Sequence, residues 1–320
     1  MTNAHMIWPD KVTICEVGLR DGLQNEKKIL NIEEKLQLLD SVVESGIKII
    51  EIGSFVHPKA ILQMADTEEV ARRMKRVNGV EYRALVPNLK GLEHAHASGI
   101  TKAKLTVSVS KSHCINNFNL PPLEMMKGFI PCAEYADKNN MKLSGAMSSA
   151  WGCAFEGKIP IQQIEEIVQK YLELGITELS LSDATGMANP RQVFEVGKYF
   201  IKTFPQVNWI LHLHDTRGMA IGNIVAGLQA GFNAFDGAFA GLGGCPYIPG
   251  ASGNISTEDV VHLLHEMGID TGVDLEKAMN TARIAEKMIG HQGHSSVLRG
   301  GRCEDLTKEK AQYQNNKQLR

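Results

Sequence analysis

The feature that most limits the fold of this chain is a regular alternation of short apolar segments with longer amphipathic ones. Eight apolar segments begin at residues 12, 48, 81, 103, 141, 177, 208 and 233, as in VTICEV and KIIEIGSF. Strands that alternate with helices lie parallel and are joined by helical crossovers. An open doubly wound sheet fits this order, but eight repeats within about 270 residues favour a closed (β/α)8 barrel, the TIM barrel.

Two of the amphipathic segments indicate where the predicted helices end. NIEEKLQLLDSVVESG closes on Gly46 and IQQIEEIVQKYLELG closes on Gly175, as many helices do. No predicted strand is followed by GxGxxG, which argues against a dinucleotide-binding sheet. We therefore expect residues 1–320 to form a single TIM-barrel catalytic domain, with the barrel at about 12–270 and a small C-terminal helical extension at about 271–320.

The composition is that of a globular protein and excludes several kinds of partner. The formal net charge is −2, 43% of the residues are hydrophobic, and no apolar run approaches the length of a transmembrane helix. We expect neither nucleic acid nor a membrane as partner. The N-terminal residues lack a signal-peptide pattern, and the six cysteines are scattered without CxxC spacing. Both observations predict a cytoplasmic protein with reduced thiols.

Polar residues collect where the predicted strands end. They are Arg20, Asp21, Glu51, Asn88, Ser148, Ser149, Asp183, His212, His214 and Asp215, together with a glycine-rich loop after Ala240. The C-terminal ends of the strands form the active-site face of a TIM barrel. One polar strand end would be ordinary, but polar ends on most of the strands predict a shared, hydrated and charged site.

His212 and His214, in LHLHDTRG, give the clearest metal signal. Residues two apart on a strand point to the same face, so both imidazoles can reach one ion, although alone they could equally be ordinary polar residues. Asp21 on neighbouring strand 1 and Asn254 after strand 8 would complete an oxygen and nitrogen set that favours Mg²⁺ or Mn²⁺. Asp21 could instead cap its loop. Asp215, of opposite parity, would orient a neighbour or cap the next helix.

Arg20 and Cys245 each have a catalytic and a structural interpretation. Arg20 shares the strand parity of Glu16 and is predicted to point into the barrel mouth, where a buried arginine needs an anionic partner. That partner could simply be Asp21. Cys245 lies in GLGGCPY, where glycines let the backbone fold over a ligand. It is either incidental or a proton donor, and the glycines favour the second interpretation.

Six stretches of the chain carry a family resemblance. EVGLRDGLQNE, SFVHPK, PNLKG, GCAFEGKI, HLHDTRG and GLGGCPYIPGASGN occur in this order between Val12 and Asp274, and together they resemble the 3-hydroxy-3-methylglutaryl-CoA lyase family. This family belongs to a group of TIM-barrel metalloenzymes with an Arg-Asp motif on strand 1. The chain departs from the family pattern at Leu19, where proline is usual and which is expected to face outward, at Trp151 and in GHQGHSSVLRGGR. These departures concern the acyl substrate and the CoA affinity.

The resemblance implies a retro-Claisen reaction that cleaves 3-hydroxy-3-methylglutaryl-CoA to acetyl-CoA and acetoacetate. It implies that the divalent cation, Mg²⁺ or Mn²⁺, is bound by Asp21, His212, His214 and Asn254. Asp21 or a bound water molecule would take the proton of the substrate hydroxyl. The cation would chelate the hydroxyl and carboxylate oxygens of the substrate.

The resemblance also implies roles for residues around the cation. Arg20 would stabilise the enolate oxygen, and Cys245 would protonate the carbanion. Glu51 and Asp183 would orient this catalytic set. The implied contacts with the substrate and CoA are Arg20, Gln24 and Lys27, of which Lys27 would lie near the CoA phosphates.

Three other functions stay open at this point. They are a lyase for a related 3-hydroxy-3-alkylacyl-CoA, a Claisen-condensing synthase of the same barrel group, such as an isopropylmalate or homocitrate synthase, and a non-catalytic scaffold with a vestigial metal site. The chain ends soon after the predicted barrel, whereas condensing enzymes carry long C-terminal extensions. The intact set of candidate residues argues against a scaffold. Because the family often forms dimers, we expect a homodimer, acting in leucine degradation.

Overall fold

Eight parallel strands form a closed barrel in the order in which they occur in the chain. The computed structural model describes residues 8–244 and 253–306. Its strands are β1 (Thr13–Glu16), β2 (Ile49–Ser54), β3 (Glu81–Val86), β4 (Lys102–Ser108), β5 (Lys142–Ser148), β6 (Glu178–Asp183), β7 (Asn208–Leu213) and β8 (Ala234–Gly237). Every strand begins within one residue of the start of a predicted apolar segment. The predicted TIM barrel is therefore confirmed.

Helices cover the outside of the barrel. They are α1 (Ile32–Glu44), α2 (Thr67–Arg73), α3 (Leu89–Ala97), α4 (Lys111–Phe118), α5 (Pro122–Lys127), α6 (Ile130–Lys138), α7 (Ile161–Glu173), α8 (Pro190–Thr203), α9 (Ala220–Ala230), α10 (Thr257–Glu266), α11 (Leu275–Ile289) and α12 (Ser296–Gly300). α1 begins with a capping box, in which Asn31 and Glu34 each accept from the other's backbone amide. The predicted helix ends at Gly46 and Gly175 are confirmed, with φ values of 96° and 74° that favour glycine.

Ion pairs, rather than aliphatic side chains, fill the N-terminal end of the barrel. Arg83 is 1% exposed, and its Nη1 lies 3.0 Å from Glu178 Oε1. Lys102 Nζ lies 2.6 Å from Glu178 Oε2 and 3.2 Å from Glu81 Oε2. TIM-barrel interiors are usually packed with branched apolar side chains. Here paired charges from β3, β4 and β6 close the end of the barrel that is opposite the active-site face.

The first strand ends earlier than its sequence suggests. β1 stops at Glu16, and Gly18–Gly22 form one π-helical turn that carries Arg20 and Asp21 beyond the strand. Strand parity therefore does not apply to Arg20, although its side chain still lines the barrel mouth. Leu19, predicted to face outward, does not line the cavity at the barrel mouth and is 1% exposed, because the same turn packs it into the hydrophobic core.

The helices that follow the barrel pack back onto it. α11 lies along α1, where Ser41 Oγ and Thr281 Oγ1 are 2.7 Å apart. α12 is fixed to α10 by Asp259, whose carboxylate accepts from the amides of Ser296 and Val297 at 2.8 Å and 2.7 Å. These helices form the predicted C-terminal helical part. In the part of the chain that is described, no helix is both long and apolar enough to cross a membrane.

Gly18 is predicted to tolerate no side chain. A Cβ atom added there would lie 2.5 Å from Cε1 of Phe239 and 2.6 Å from Glu16 Oε1. We expect Gly18→Ala to lower the free energy of unfolding by about 1–3 kcal/mol, the usual cost of overpacking, and to displace the turn that carries Arg20. Urea unfolding at neutral pH measures this. Gly300→Ala, where an added Cβ meets nothing within 4 Å, is the matched control, and equal stability losses in the two variants would contradict the prediction.

Candidate metal centre and active site

A cavity of about 300 Å³ lies at the C-terminal ends of the strands. Its polar lining includes Arg20, Asp21, Gln24, Asn25, Lys104, His113, Asn117, Ser180, Ser182, His212, His214 and Asp236. Half of the ten predicted polar strand-end residues therefore meet in one place, together with Gly244 of the glycine-rich loop, and the five are Arg20, Asp21, Ser148, His212 and His214. Asn88 does not line this cavity, because its side chain caps α3 by accepting from the Gly91 amide at 3.1 Å.

Three of the predicted metal ligands line one side of this cavity, and the fourth, Asn254, is hydrogen-bonded to one of them. Asp21 Oδ2 lies 3.3 Å from His214 Nε2 and 3.6 Å from His212 Nε2, and ligand atoms of these three residues lie within 4.8 Å of one another. Asn254 Nδ2 donates to Asp21 Oδ2 at 2.8 Å, while Asn254 Oδ1 is buried without a hydrogen-bond partner. Two imidazoles, a carboxylate and an amide whose oxygen is unpaired form a donor set that fits a divalent cation.

Backbone pairing explains how Asn254 reaches the histidines. His214 directly follows β7 and forms an isolated antiparallel bridge with Asn254. Asp215, the next residue, has the helix-capping role: its Oδ1 accepts from the Ala220 amide at 2.9 Å, at the start of α9. The end of β7 therefore directs two imidazoles to the cavity and one carboxylate to the next helix.

Two buried charged residues of the site were missed by the sequence analysis. Asp236, on β8, accepts from His212 Nδ1 at 3.0 Å, which directs Nε2 of this histidine towards the other ligands. Lys104, on β4, has its Nζ 2.6 Å from Glu51 Oε2 and 3.6 Å from Asp236 Oδ2. Both interrupt apolar strand segments. A charged residue within an apolar strand segment is the sequence signal that could have identified them, since charged side chains are seldom fully buried without a partner.

The surrounding charges keep three carboxylates of this cavity ionised. Burial alone would raise their pKa values, but the neighbouring cations outweigh it. Arg20 and the imidazoles hold the pKa of Asp21 well below its usual range. Arg20 and Lys104 lower the pKa of Glu51, and Lys104 with an imidazole lowers the pKa of Asp236. Three carboxylates outnumber the two permanent cations, so a bound divalent cation would compensate the excess negative charge.

Arg20 is held in the cavity by two carboxylates. Its Nε contacts Glu51 Oε1, and its Nη1 contacts Asp21 Oδ1. The side chain of Glu51, on β2, is fully buried, and its second oxygen pairs with Lys104. The carboxylate of Glu51 holds the guanidinium beside the candidate ligands. This contact is consistent with the orienting role predicted for Glu51.

The structure does not bring the Asp183 side chain to the metal ligands. Its carboxylate accepts from Thr185 Oγ1 at 2.9 Å and from the amides of Met187 and Ala188 at 3.0 Å and 2.8 Å, so it organises the loop after β6. The Asp183 carbonyl accepts from the His214 amide at 3.2 Å. The predicted orienting role is therefore corrected to a backbone contact, because strand parity turns this side chain away from the cavity.

The remaining predicted residues are placed differently from one another. Gln24 lines the cavity, whereas Lys27 is exposed and lies outside the lining. Cys245 lies outside the described residues. Its neighbour Gly244 lines the cavity, and the Gly244 carbonyl accepts from Asn25 Nδ2 at 2.8 Å. The described chain therefore reaches the edge of the cavity immediately before Cys245.

Glu16 is a further buried carboxyl that the sequence analysis did not assign to the site. Its Oε1 accepts from the amides of Gly18 at 2.6 Å and Phe239 at 3.1 Å, and its Oε2 lies 2.6 Å from Thr257 Oγ1. Burial raises the pKa of Glu16 to about 7. This side chain ties the turn that carries Arg20 to the turn that follows β8.

Comparison with known proteins shows what the chain is similar to. Residues 11–285 match the HMGL-like family. The chain is 44% identical over 285 residues to hydroxymethylglutaryl-CoA lyase YngG of Bacillus subtilis (strain 168), which covers 89% of this chain and 95% of that protein. It is 39% identical over 289 residues to the cytoplasmic 3-hydroxy-3-methylglutaryl-CoA lyase of Rattus norvegicus, which covers 90% and 84%. A solved HMG-CoA lyase from Acinetobacter baumannii, in complex with coenzyme A and 3-methylmalate, superposes with a TM-score of 0.89 at 37% identity, covering 92% of this chain and 97% of that one.

Glu16 predicts a pH dependence of stability. Because its pKa is raised from 4.5 to about 7 in the folded protein, the folded state binds more protons than the unfolded state between these values. Stability should therefore fall as the pH rises through this window. We expect Glu16→Gln, which imitates the protonated carboxyl, to reduce this fall.

Urea unfolding at several pH values from 5 to 8, compared among wild type, Glu16→Gln and the exposed control Glu33→Gln, measures the effect. Burial raises the pKa of Glu258 to about 8, so part of the decrease in stability with rising pH should remain in every variant. Identical pH profiles for wild type and Glu16→Gln would contradict the prediction.

Proposed function

The chain belongs to the HMGL-like family, and we propose that it is a divalent-metal-dependent carbon–carbon lyase that cleaves 3-hydroxy-3-methylglutaryl-CoA to acetyl-CoA and acetoacetate. One observation carries the proposal: Arg20 lies in the same cavity as a carboxylate and two imidazoles, and that carboxylate is hydrogen-bonded to an asparagine whose amide oxygen is unpaired. The activity named for the Bacillus subtilis relative at 44% identity supports the substrate.

Four residues, Asp21, His212, His214 and Asn254, are proposed to hold the cation. We propose Mg²⁺ or Mn²⁺, because carboxylate and amide oxygens with imidazole nitrogens suit these ions better than a thiolate-rich set would. When bound, the cation supplies Lewis-acid polarisation of the hydroxyl and carboxylate oxygens of the substrate. The unpaired Asn254 oxygen and the excess negative charge of the cavity support this assignment.

The neighbouring residues account for the movement of protons and electrons. The proton of the 3-hydroxyl leaves to Asp21 or to a water molecule beside it. The hydroxyl oxygen becomes the ketone of acetoacetate as the C2–C3 bond breaks, and the bonding electrons pass to the thioester half as an enolate. Arg20, already fixed by two carboxylates, stabilises the enolate oxygen. Protonation of the carbanion by Cys245 then yields acetyl-CoA.

The proposal extends to the CoA contacts and to the cellular setting. Gln24 at the cavity wall contacts the acyl end of the substrate, and the exposed Lys27 meets the CoA phosphates outside it. The coenzyme A complex of the Acinetobacter baumannii relative supports an acyl-CoA substrate. We propose a cytoplasmic location, which the name of the rat relative supports. We also propose that the protein forms a homodimer and acts in leucine degradation.

The proposed reaction is tested by incubating the purified chain with 3-hydroxy-3-methylglutaryl-CoA and related 3-hydroxy-3-alkylacyl-CoA esters, with both products identified by mass. We expect acetyl-CoA and acetoacetate with Mg²⁺ or Mn²⁺, and loss of turnover after chelation. His214→Ala should reduce metal binding or turnover at least tenfold, by analogy with other losses around metal sites. The exposed control His94→Gln should match wild type. Full turnover in a rigorously metal-free sample would overturn the metal assignment.

Arg20 is expected to act mainly in the transition state. Its removal by Arg20→Gln should cost on the order of 3 kcal/mol in kcat, as for one oxyanion-hole donor. KM should change much less, because the enolate charge is absent from the bound substrate. Steady-state kinetics with saturating Mg²⁺ measure both constants, with Arg73→Gln on exposed α2 as the control. An unchanged kcat with a large rise in KM would make Arg20 a binding residue only.

A further inference from the structure

A second group of metal-ligating side chains lies on the outside of the barrel, on α10 and just after α12. His262, Glu266 and Cys303 each offer one ligand atom, and these three atoms lie within 4.8 Å of one another. His262 and Glu266 line part of a hollow of about 380 Å³ between α10 and α12, and the Cys303 ligand atom lies close to theirs. Nothing in the proposed lyase reaction uses these residues.

The fold brings the three side chains together by two separate constraints. His262 and Glu266 are four residues apart on α10 and therefore share one face of the helix. Asp259, on the same helix, fixes the start of α12 through two backbone amides. Gly301, with a φ of 74°, ends α12 and turns the chain so that Cys303 meets the α10 face.

The imidazole of His262 is the observation that points to a ligand. Its Nε2 atom is buried and makes no hydrogen bond, and Glu266 Oε1 lies 3.8 Å away. That separation is too long for a hydrogen bond, but it is close to the distance between two ligands of one tetrahedral ion. Cys303 is an exposed free thiol, so it can lose its proton to a metal.

We propose that His262, Glu266 and Cys303 form a second metal site, selective for Zn²⁺, that fastens the segment after α12 to α10. A thiolate with an imidazole and a carboxylate suits Zn²⁺, and a water molecule would complete the tetrahedron. The proposed catalytic set, in contrast, has oxygen and nitrogen ligands. The two sites therefore differ in the ion that they prefer.

The test compares zinc content in the full-length protein. Metal-free wild type, Cys303→Ser, His262→Gln and the control His94→Gln are dialysed against Zn²⁺ in excess Mg²⁺ and a reducing agent. His94 is matched because it also pairs with a glutamate on the surface, Glu68. Wild type and His94→Gln should hold one more zinc per chain than the other two variants. Equal zinc content in wild type and Cys303→Ser would overturn the proposal.

Cobalt identifies which thiolate binds. Co²⁺ added to the metal-free protein should produce a thiolate-to-cobalt charge-transfer band in wild type and in Cys245→Ser, and no such band in Cys303→Ser. Zn²⁺ should also raise the melting temperature of wild type by a few degrees and that of Cys303→Ser by less. The opposite pattern, a band lost in Cys245→Ser and kept in Cys303→Ser, would assign the thiolate to the active-site loop and overturn the proposal.

Discussion

The ammonium group of Lys104 is the charge on which the interior of the active-site face depends. It lies between two buried carboxylates, Glu51 and Asp236, and each of these holds one functional group in place. Glu51 fixes the Arg20 guanidinium, and Asp236 fixes the ring of His212. An uncompensated buried charge costs about 3–5 kcal/mol when its partner is removed. A single lysine therefore couples the position of the proposed enolate-binding group to the position of a proposed metal ligand.

Much of the fold could be predicted from the sequence because the relevant signals are local. Each strand is a short apolar segment, and helix ends such as Gly46 and Gly175 need a backbone conformation that glycine adopts readily. Closure of the barrel followed from the number of repeats. The turn at Gly18–Gly22 could not be predicted, because Gly18 packs closely against Phe239, which is more than two hundred residues away in the chain. A prediction from local sequence alone therefore made β1 longer than it is.

In the candidate site, too, some residues could be identified from local sequence, whereas others depend on contacts between distant parts of the chain. His212 and His214 were found because the two-residue spacing at the end of an apolar segment is a local signal, although β7 itself ends one residue before His214. Lys104 and Asp236 were missed because a charged residue in an apolar strand has a clear role only when the strand opposite supplies its partner. Asp183 was assigned to the wrong contacts, since its position at a strand end was read without its parity. The sequence alone does not show which charged side chains pair with each other across the barrel.

The ion pairs of Arg83, Glu178, Lys102 and Glu81 give the barrel a closed floor in its described part. On the proposed function, the substrate would therefore reach the cavity from the active-site face, where the candidate catalytic groups lie, and both products would leave by that same face.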